Sequence, residues 1–132
     1  MSDANEPNWL SFRLITATQA KQIDQFGGSD GVREEELIYS AIARPQQLFH
    51  YGSPSPDMFA LAASYAYGLV KNHAFIDGNK RIAHMAYRLF LAKNGYVCNA
   101  SAEDKYTQMI ALASSKVTEE DFAEWLRGAC SQ

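Results

Sequence analysis

The sequence predicts an all-α protein: a compact single-domain bundle of about six helices, with a short flap loop or hairpin. Three observations predict it. Apolar residues recur three and four positions apart along most of the chain, the period of a helix with one buried face. Helix-start signatures recur at Thr16, Asp30, Ser55, Ser101 and Thr118. The chain is 132 residues long with 47% apolar and 20% charged residues, enough for one self-sufficient core.

Taken in order, Met1 to Asn8 is small and polar, carries Pro7 and shows no periodicity, the pattern of a loose N-terminal tail before a domain spanning residues 9–132. Trp9 to Leu14 alternates and reads as a short extended segment. Thr16-Ala17-Thr18-Gln19 fits a capping box, with Ala20, Ile23 and Phe26 at helical spacing and Gly27-Gly28 as a stop, so a helix is expected over about 17–26. Asp30-Gly31 opens the next segment. Glu34, Glu35 and Glu36 suit the positive end of a helix dipole, Leu37, Ile38, Ala41 and Ile42 form one apolar face, and Arg44-Pro45 marks the end.

Gln46 to Pro56 combines Leu48, Phe49 and Tyr51 with one glycine and two prolines, and reads as a loop or hairpin that serves as a flap. Ser55-Pro56-Asp57 then reads as N-cap, first-turn proline and first-turn acid of a helix with Phe59, Ala62, Ala63, Ala66, Tyr67 and Val70 on a broad apolar stripe, running out near Lys71-Asn72. Its alanine content marks it as central. A second central helix carries Ile82, Met85, Ala86, Leu89 and Phe90 and stops at Asn94-Gly95. Tyr96-Val97-Cys98 is too brief to classify. Ser101-Ala102-Glu103-Asp104 starts a helix with Tyr106, Met109, Ile110 and Ala113 on its stripe. Val117 to Phe122 repeats the start signature, with Val117 and Phe122 as a hydrophobic staple before Trp125, Leu126 and Ala129.

A net charge of −3 offers no field for nucleic acid, so no direct nucleic-acid partner is expected. The longest apolar runs, such as Met58 to Ala63, are far too short to span a bilayer. Two cysteines, Cys98 and Cys130, in a chain without an apolar secretory leader read as reduced thiols in a cytoplasmic protein.

Chemistry concentrates between the two central helices, in His73-Ala74-Phe75-Ile76-Asp77-Gly78-Asn79-Lys80-Arg81. The first turn of a helix favours acids and disfavours cations, by about 0.3–1 kcal/mol each. Other helix starts here obey that rule, yet the helix after Gly78 begins Asn79-Lys80-Arg81. An anion placed there would accept backbone N–H bonds and meet both cations at once. Gly78 lets the backbone turn and approach a ligand closely. Asp77 beside a phosphate calls for a neutralising cation, and Mg²⁺ takes one or two carboxylates together with substrate phosphates; an N-cap or Asp-Gly turn role is the alternative. His73 lies four residues before Asp77, placed to take a proton from an attacking hydroxyl. The P-loop, protein-kinase and dinucleotide fingerprints are missing. A His73/Asp77 transition-metal pair lacks an evident third ligand in His50 or His84 and would sit beside two cations.

At these residues the sequence resembles the Fic/Doc family, whose signature H-x-F-x-[D/E]-G-N-x-R it matches in every fixed position, and the similarity extends from about Thr16 to Ala113. The resemblance implies an all-α domain whose motif loop binds ATP phosphates at a helix N-terminus. It makes His73 the general base toward a target-protein hydroxyl, Asp77 the Mg²⁺ ligand, and Gly78, Asn79, Lys80 and Arg81 the phosphate contacts. The flap, Leu48, Phe49, His50, Tyr51, Gly52 and Ser53, would hold the target segment by strand addition. Adenylylating Fic enzymes read H-P-F-x-[D/E]-G-N-G-R-x-x-R, where this chain has Ala74, Lys80 and His84. Lys80 is the choice of the death-on-curing (Doc) toxins, in which ATP lies reversed and the γ-phosphoryl meets the target; Gly78, where Doc has alanine, is Fic-like. No [S/T]-x-x-x-E-[G/N] self-inhibitory helix is present, Ser115 to Glu120 coming nearest, which implies a separate Phd-type antitoxin.

The reading that follows is a Doc-type toxin transferring a phosphoryl group from Mg·ATP to a hydroxyl of elongation factor Tu. The alternatives are adenylylation of a target hydroxyl at the same site, and a non-catalytic nucleotide- or protein-binding module.

Overall fold

The computed structural model describes residues 6–132. Of the tail expected over Met1–Asn8, residues 1–5 lie outside the described residues. Asn8 is tied down: its N–H donates to Asn94 Oδ1 at 2.8 Å, and Asn94 Nδ2 donates back to its carbonyl at 3.1 Å.

Six helices and two short strands follow: α1 (Phe12–Phe26), α2 (Glu35–Tyr51), α3 (Met58–Asn72), α4 (Asn79–Lys93), β1 (Val97–Cys98), α5 (Ala102–Ala113), α6 (Glu119–Ala129) and β2 (Cys130–Ser131). The bundle is mainly helical, as the periodicity predicted. The core is built around α3, in which every residue from Leu61 to Ala66 is buried; α2, α4 and α6 pack along it. A helix buried all round cannot carry large residues on every face. The alanines of α3 serve that closeness, and so does Gly68, where a Cβ would come within 3.3 Å of the Ala41 Cα on α2. Tyr65, Tyr87, Phe90 and Phe122 fill the remaining space.

Helix starts follow local chemistry where the cap is local. Ser101 accepts from the Asp104 N–H at 3.0 Å, and Thr118 and Asp121 form a reciprocal capping box at 3.0 and 3.1 Å. Three other starts are shifted: α2 begins at Glu35, behind Glu34 and without a side-chain cap, and not at Asp30. In α1 the cap is Ser11, which accepts from the Leu14 N–H at 3.0 Å, so the segment read as extended is helical from Phe12. Thr16, expected as the cap, sits one turn inside and donates to the Phe12 carbonyl at 3.0 Å. In α3 the cap is Asp57, not Ser55; its carboxylate accepts from the Ala60 N–H at 2.8 Å.

The largest correction concerns α2. It does not stop at Arg44-Pro45 but runs through Pro45 to Tyr51, so Leu48, Phe49, His50 and Tyr51 form its last turn and not a loop or hairpin. An interior proline removes one helix hydrogen bond and crowds the preceding turn, at a cost of about 3 kcal/mol. Tertiary contacts at Arg44 and Pro45 offset it. Arg44 donates to Ser64 Oγ at 3.2 Å and to both Glu119 carboxylate oxygens at 2.9 and 2.8 Å, while Pro45 itself is buried. The helix ends at Gly52, whose N–H donates to the Leu48 carbonyl at 2.8 Å.

The segment left unclassified after α4 is β1, paired antiparallel with β2 in the register Val97↔Ser131 and Cys98↔Cys130. The directly opposed cysteines are joined by a disulfide with a Cα–Cα distance of 4.0 Å. The expectation of reduced thiols is corrected accordingly: residues 32 apart in sequence are brought face to face by the strand pair. Among the described residues no helix is long and apolar enough to cross a membrane.

Candidate functional site

The motif loop leaves α3 through His73, whose backbone is left-handed (φ 51°, ψ 48°), and enters α4 through Gly78, also left-handed (φ 76°, ψ 22°). Between them Ala74 and Phe75 are buried, and they fasten the loop to the protein. Ile76 and Asp77 face outward. The result is a cavity of about 430 Å³ lined by His73, Asp77, Gly78, Asn79, Lys80 and Arg81, joined by Gly27 and Ile76. All six motif positions singled out from the sequence therefore meet at one place.

The electrostatics of that place are set by α4. Its N-cap, Gly78, supplies no side-chain cap, and its first turn holds no acid. The first intrahelical bond runs from the Ile82 N–H to the Gly78 carbonyl at 2.9 Å, so the N–H groups of Asn79, Lys80 and Arg81 have no helical acceptor. Lys80 and Arg81 are both exposed on the same turn. The Arg81 guanidinium lies over the Phe26 ring at 4.8 Å, which orients it from α1. Phe26, expected on the buried stripe of α1, is 64% exposed and belongs to the rim of the site.

Asp77 is held by backbone groups. Its Oδ1 accepts from the Gly78 N–H at 2.8 Å and its Oδ2 from the Ser29 N–H at 3.3 Å, while the residue stays exposed. The residues present fit a magnesium ion. Among the described residues no group of three or more His, Cys, Asp or Glu side chains converges, and Mg²⁺ needs only one or two protein carboxylates when phosphates and waters supply the rest. The Asn79 side chain also braces the loop. Its Oδ1 accepts from the Phe75 N–H at 3.1 Å and its Nδ2 donates to the Phe75 carbonyl at 3.0 Å. The Asn79 backbone N–H and the second hydrogen of Nδ2 remain to meet an anion.

The structure separates the flap candidates from this site. α2 and α3 run antiparallel: Asn72 Nδ2 donates to the Leu37 carbonyl at 2.9 Å, Gly68 abuts Ala41, and Arg44 reaches Ser64. Leu48 to Ser53 thus lie beside the start of α3, about 20 Å from His73 at 1.5 Å per helical residue. Leu48, Tyr51 and Gly52 border a different, larger cavity of about 1050 Å³ between α2, α3 and α6. The segment that does lie along the motif is the α1–α2 connection, which sequence reasoning took only as a helix stop and start. The Ile76 N–H donates to the Gly31 carbonyl at 3.2 Å, the Ala74 carbonyl accepts from the N–H groups of Arg33 (2.8 Å) and Glu34 (3.1 Å), and Val32 bridges Phe75 antiparallel. Arg33 Nε also donates to the His73 carbonyl at 2.8 Å, and its Nη2 to that of Asn72 at 3.3 Å. At Gly28, with φ 116°, an added Cβ would sit 2.8 Å from Asp77 Oδ2. A second available signal was the density of glycine in Gly27-Gly28-Ser29-Asp30-Gly31, which marks a strained or closely approached backbone as well as a turn.

Comparison with known proteins decides the family. The family model described as Fic/DOC family matches residues 9–91, more than half of the chain and all of the motif loop. The chain belongs to the Fic/DOC family. Two relatives of this Fic/DOC chain are a protein named Toxin Doc from Mycolicibacterium smegmatis and one named Protein kinase doc from Escherichia phage P1. The first is 41% identical over 70 residues, 53% of this chain and 54% of the relative. The second is 30% identical over 86 residues, 65% of this chain and 68% of the relative. The chain therefore spans about half the length of the mycobacterial relative and two thirds of the phage one. One Fic/DOC position has a changed electrostatic character here. His84, which occupies the place of the last arginine in the adenylylating signature, is held neutral: burial, with Arg88 and Lys105 adding to it, pushes its pKa down to about 4.

Proposed function

We propose that the chain is a Doc-type toxin that transfers the γ-phosphoryl group of Mg·ATP to a hydroxyl of a target protein, elongation factor Tu by analogy with the family, and so inhibits translation in the cytoplasm. The observation that carries this reading is the meeting of His73, Asp77 and the uncapped, cation-bearing start of α4 around one cavity. In the reaction the target hydroxyl loses its proton to the His73 imidazole. Its oxygen forms a bond to the γ-phosphorus, and the bond from that phosphorus to the β–γ bridging oxygen breaks. ADP departs with that oxygen, and the phosphorylated target keeps the attacking one. The backbone N–H groups of Lys80 and Arg81 and their side-chain cations stabilise the phosphate charge. Asp77 would hold the magnesium ion, which supplies further neutralisation when bound. Strand addition of the target segment falls to Ser29–Arg33, since one edge of that stretch already pairs with Ala74–Ile76. A separate Phd-type antitoxin is the expected partner.

Adenylylation at the same site is the second reading, and Gly78 is the residue that favours it. Lys80 and the neutral His84 favour phosphoryl transfer, because an arginine in the place of His84 would add a permanent cation that this chain lacks. Labelled ATP separates the two. With γ-labelled nucleotide the target becomes labelled; label arriving only from the α position overturns the kinase reading, and the intact mass then shows added AMP in place of phosphate. His73→Ala abolishes both growth inhibition and target modification; survival of both removes the base role and leaves a binding module.

A further inference from the structure

Gln19 lies on α1, far from the motif in sequence, and is only 2% exposed. Its Nε2 donates to the backbone carbonyl of Asp77, 58 residues away. Its Oε1 is buried with no hydrogen-bond partner. A glutamine buried for packing alone would be replaced at less cost by leucine, which leaves no acceptor unpaired. The amide orientation is fixed by its partner, because the opposite assignment would set two acceptors against each other. The same amide lies under the turn: a Cβ on Gly78 would stand 3.0 Å from Gln19 Nε2 and 3.6 Å from Oε1.

We infer that Gln19 is the positioning residue of the motif turn: by drawing the Asp77 carbonyl inward, it presents the Asp77 carboxylate and the first N–H groups of α4 to the nucleotide. The inference rests on the reading of this cavity as the nucleotide site. Each peptide group has two ends. With the Asp77 carbonyl anchored on α1, the peptide joining Asp77 to Gly78 has one orientation, which holds Gly78 left-handed and directs its N–H to Asp77 Oδ1. Without the anchor that peptide can rotate, taking the carboxylate and the helix start with it. Position 78 is left-handed (φ 76°), which disfavours any side chain there, and a Cβ added at it would also press on the Gln19 amide. Gln19 touches no reacting atom in this scheme and acts through the Asp77 backbone.

The test uses Gln19→Leu, which keeps the volume without the donor, and Gln19→Glu, which turns an acceptor toward the carbonyl. Gly78→Ala approaches the same contact from the other side. Amide hydrogen exchange is followed at Phe75 and Ile76, whose N–H bonds to Asn79 Oδ1 and the Gly31 carbonyl require the loop in place, with Leu69 in α3 as the internal reference. Loss of one net hydrogen bond speeds exchange at Phe75 and Ile76 about tenfold and weakens Mg·ATP binding, read by calorimetry, by a similar factor. Exchange at Leu69 stays unchanged, which shows that the fold stands. Unaltered protection at Phe75 and Ile76 in folded variants overturns the inference. If the wild-type chain itself fails to bind Mg·ATP, the nucleotide reading falls, and the exchange result still decides whether Gln19 orders the turn.

Discussion

Asn79 and Phe75 hold each other by two hydrogen bonds, the Phe75 N–H to Asn79 Oδ1 at 3.1 Å and Asn79 Nδ2 to the Phe75 carbonyl at 3.0 Å. The side chain of the first residue of α4 thereby closes the loop that precedes it. Only an amide offers a donor and an acceptor in this geometry. Asn79→Ala removes both bonds from a half-buried setting and is expected to cost about 2 kcal/mol of stability, at roughly 1 kcal/mol per bond. Asn79→Asp keeps the acceptor but faces the Phe75 carbonyl with a second one, and brings a negative charge to the phosphate end of α4. The aspartate variant is therefore expected to bind Mg·ATP more weakly than the alanine variant, as measured by calorimetry.

Arg33 secures the other end of the loop. Its guanidinium donates to the carbonyls of His73 and Asn72 at the C-terminal end of α3, where helix carbonyls lack partners. His73 is left-handed without being glycine, a conformation that needs support from its surroundings. Arg33→Ala releases His73 and leaves the start of α4 intact. The expected outcome is a fall in kcat of about tenfold with the KM for ATP nearly unchanged, since an interaction of the base has been lost and one of the phosphates has not. An equal rise in KM would show that Arg33 supports binding instead.

Arg44 joins three helices away from the motif, through Ser64 on α3 and a bidentate pair with Glu119 on α6. The Glu119 carboxylate raises the Arg44 pKa above the ordinary guanidinium value, against a smaller opposing effect of burial. With 39% of the Arg44 side chain exposed, solvent screens the pair, and Arg44→Ala is expected to cost about 1–2 kcal/mol. Arg44→Lys should restore little, because an ammonium cannot make the paired contact. Thermal melting measures both, and target modification per folded molecule should stay at the wild-type level.

His84 gives the protein an acid-sensitive interval. Its pKa is lowered in the folded state from 6.5 to about 4, chiefly by burial and further by Arg88 and Lys105. Between those values the unfolded chain binds a proton that the folded chain does not, so stability is complete above the unfolded value and declines as pH falls toward about 4. Asp57, whose carboxyl is held below the usual range first by its hydrogen bond from Arg127, contributes its loss at more acid pH. Urea midpoints measured at about pH 7 and about pH 5 should differ for the wild type and converge for His84→Gln.

The sequence was legible where structure is decided within a few neighbouring residues. Ser101 and Thr118 cap the helices they signal, because a cap bonds three residues ahead and competes with nothing distant. Thr16 shows the limit: its hydroxyl satisfies a carbonyl one turn back inside a helix already begun at Ser11, and no local pattern separates the two uses. Pro45 was read as a terminator because its cost is local, whereas Ser64 and Gly68 of α3 and Glu119 of α6 hold the helix beside it through Arg44 and Ala41. The last turn of α2 was read as a loop for the same reason. Leu48 to Ser53 has the composition of a loop, but what lies beside the motif is decided by how α2 crosses α3. The motif itself was readable because its chemistry is contiguous, while Gln19, Ser29 and Arg33 reach it only in the folded chain.

Those three partners stand 58, 48 and 40 residues before the groups they hold, and α6, which covers one side of α3, is the last helix among the described residues. Synthesis proceeds from the N-terminus, and a domain generally folds as a unit. A growing chain that has just produced Arg81 already contains every side chain of the motif, yet α3 still lacks the neighbour that completes its burial. The burial of α3 thus draws on helices from both sides of the motif in sequence, α2 before it and α6 after it.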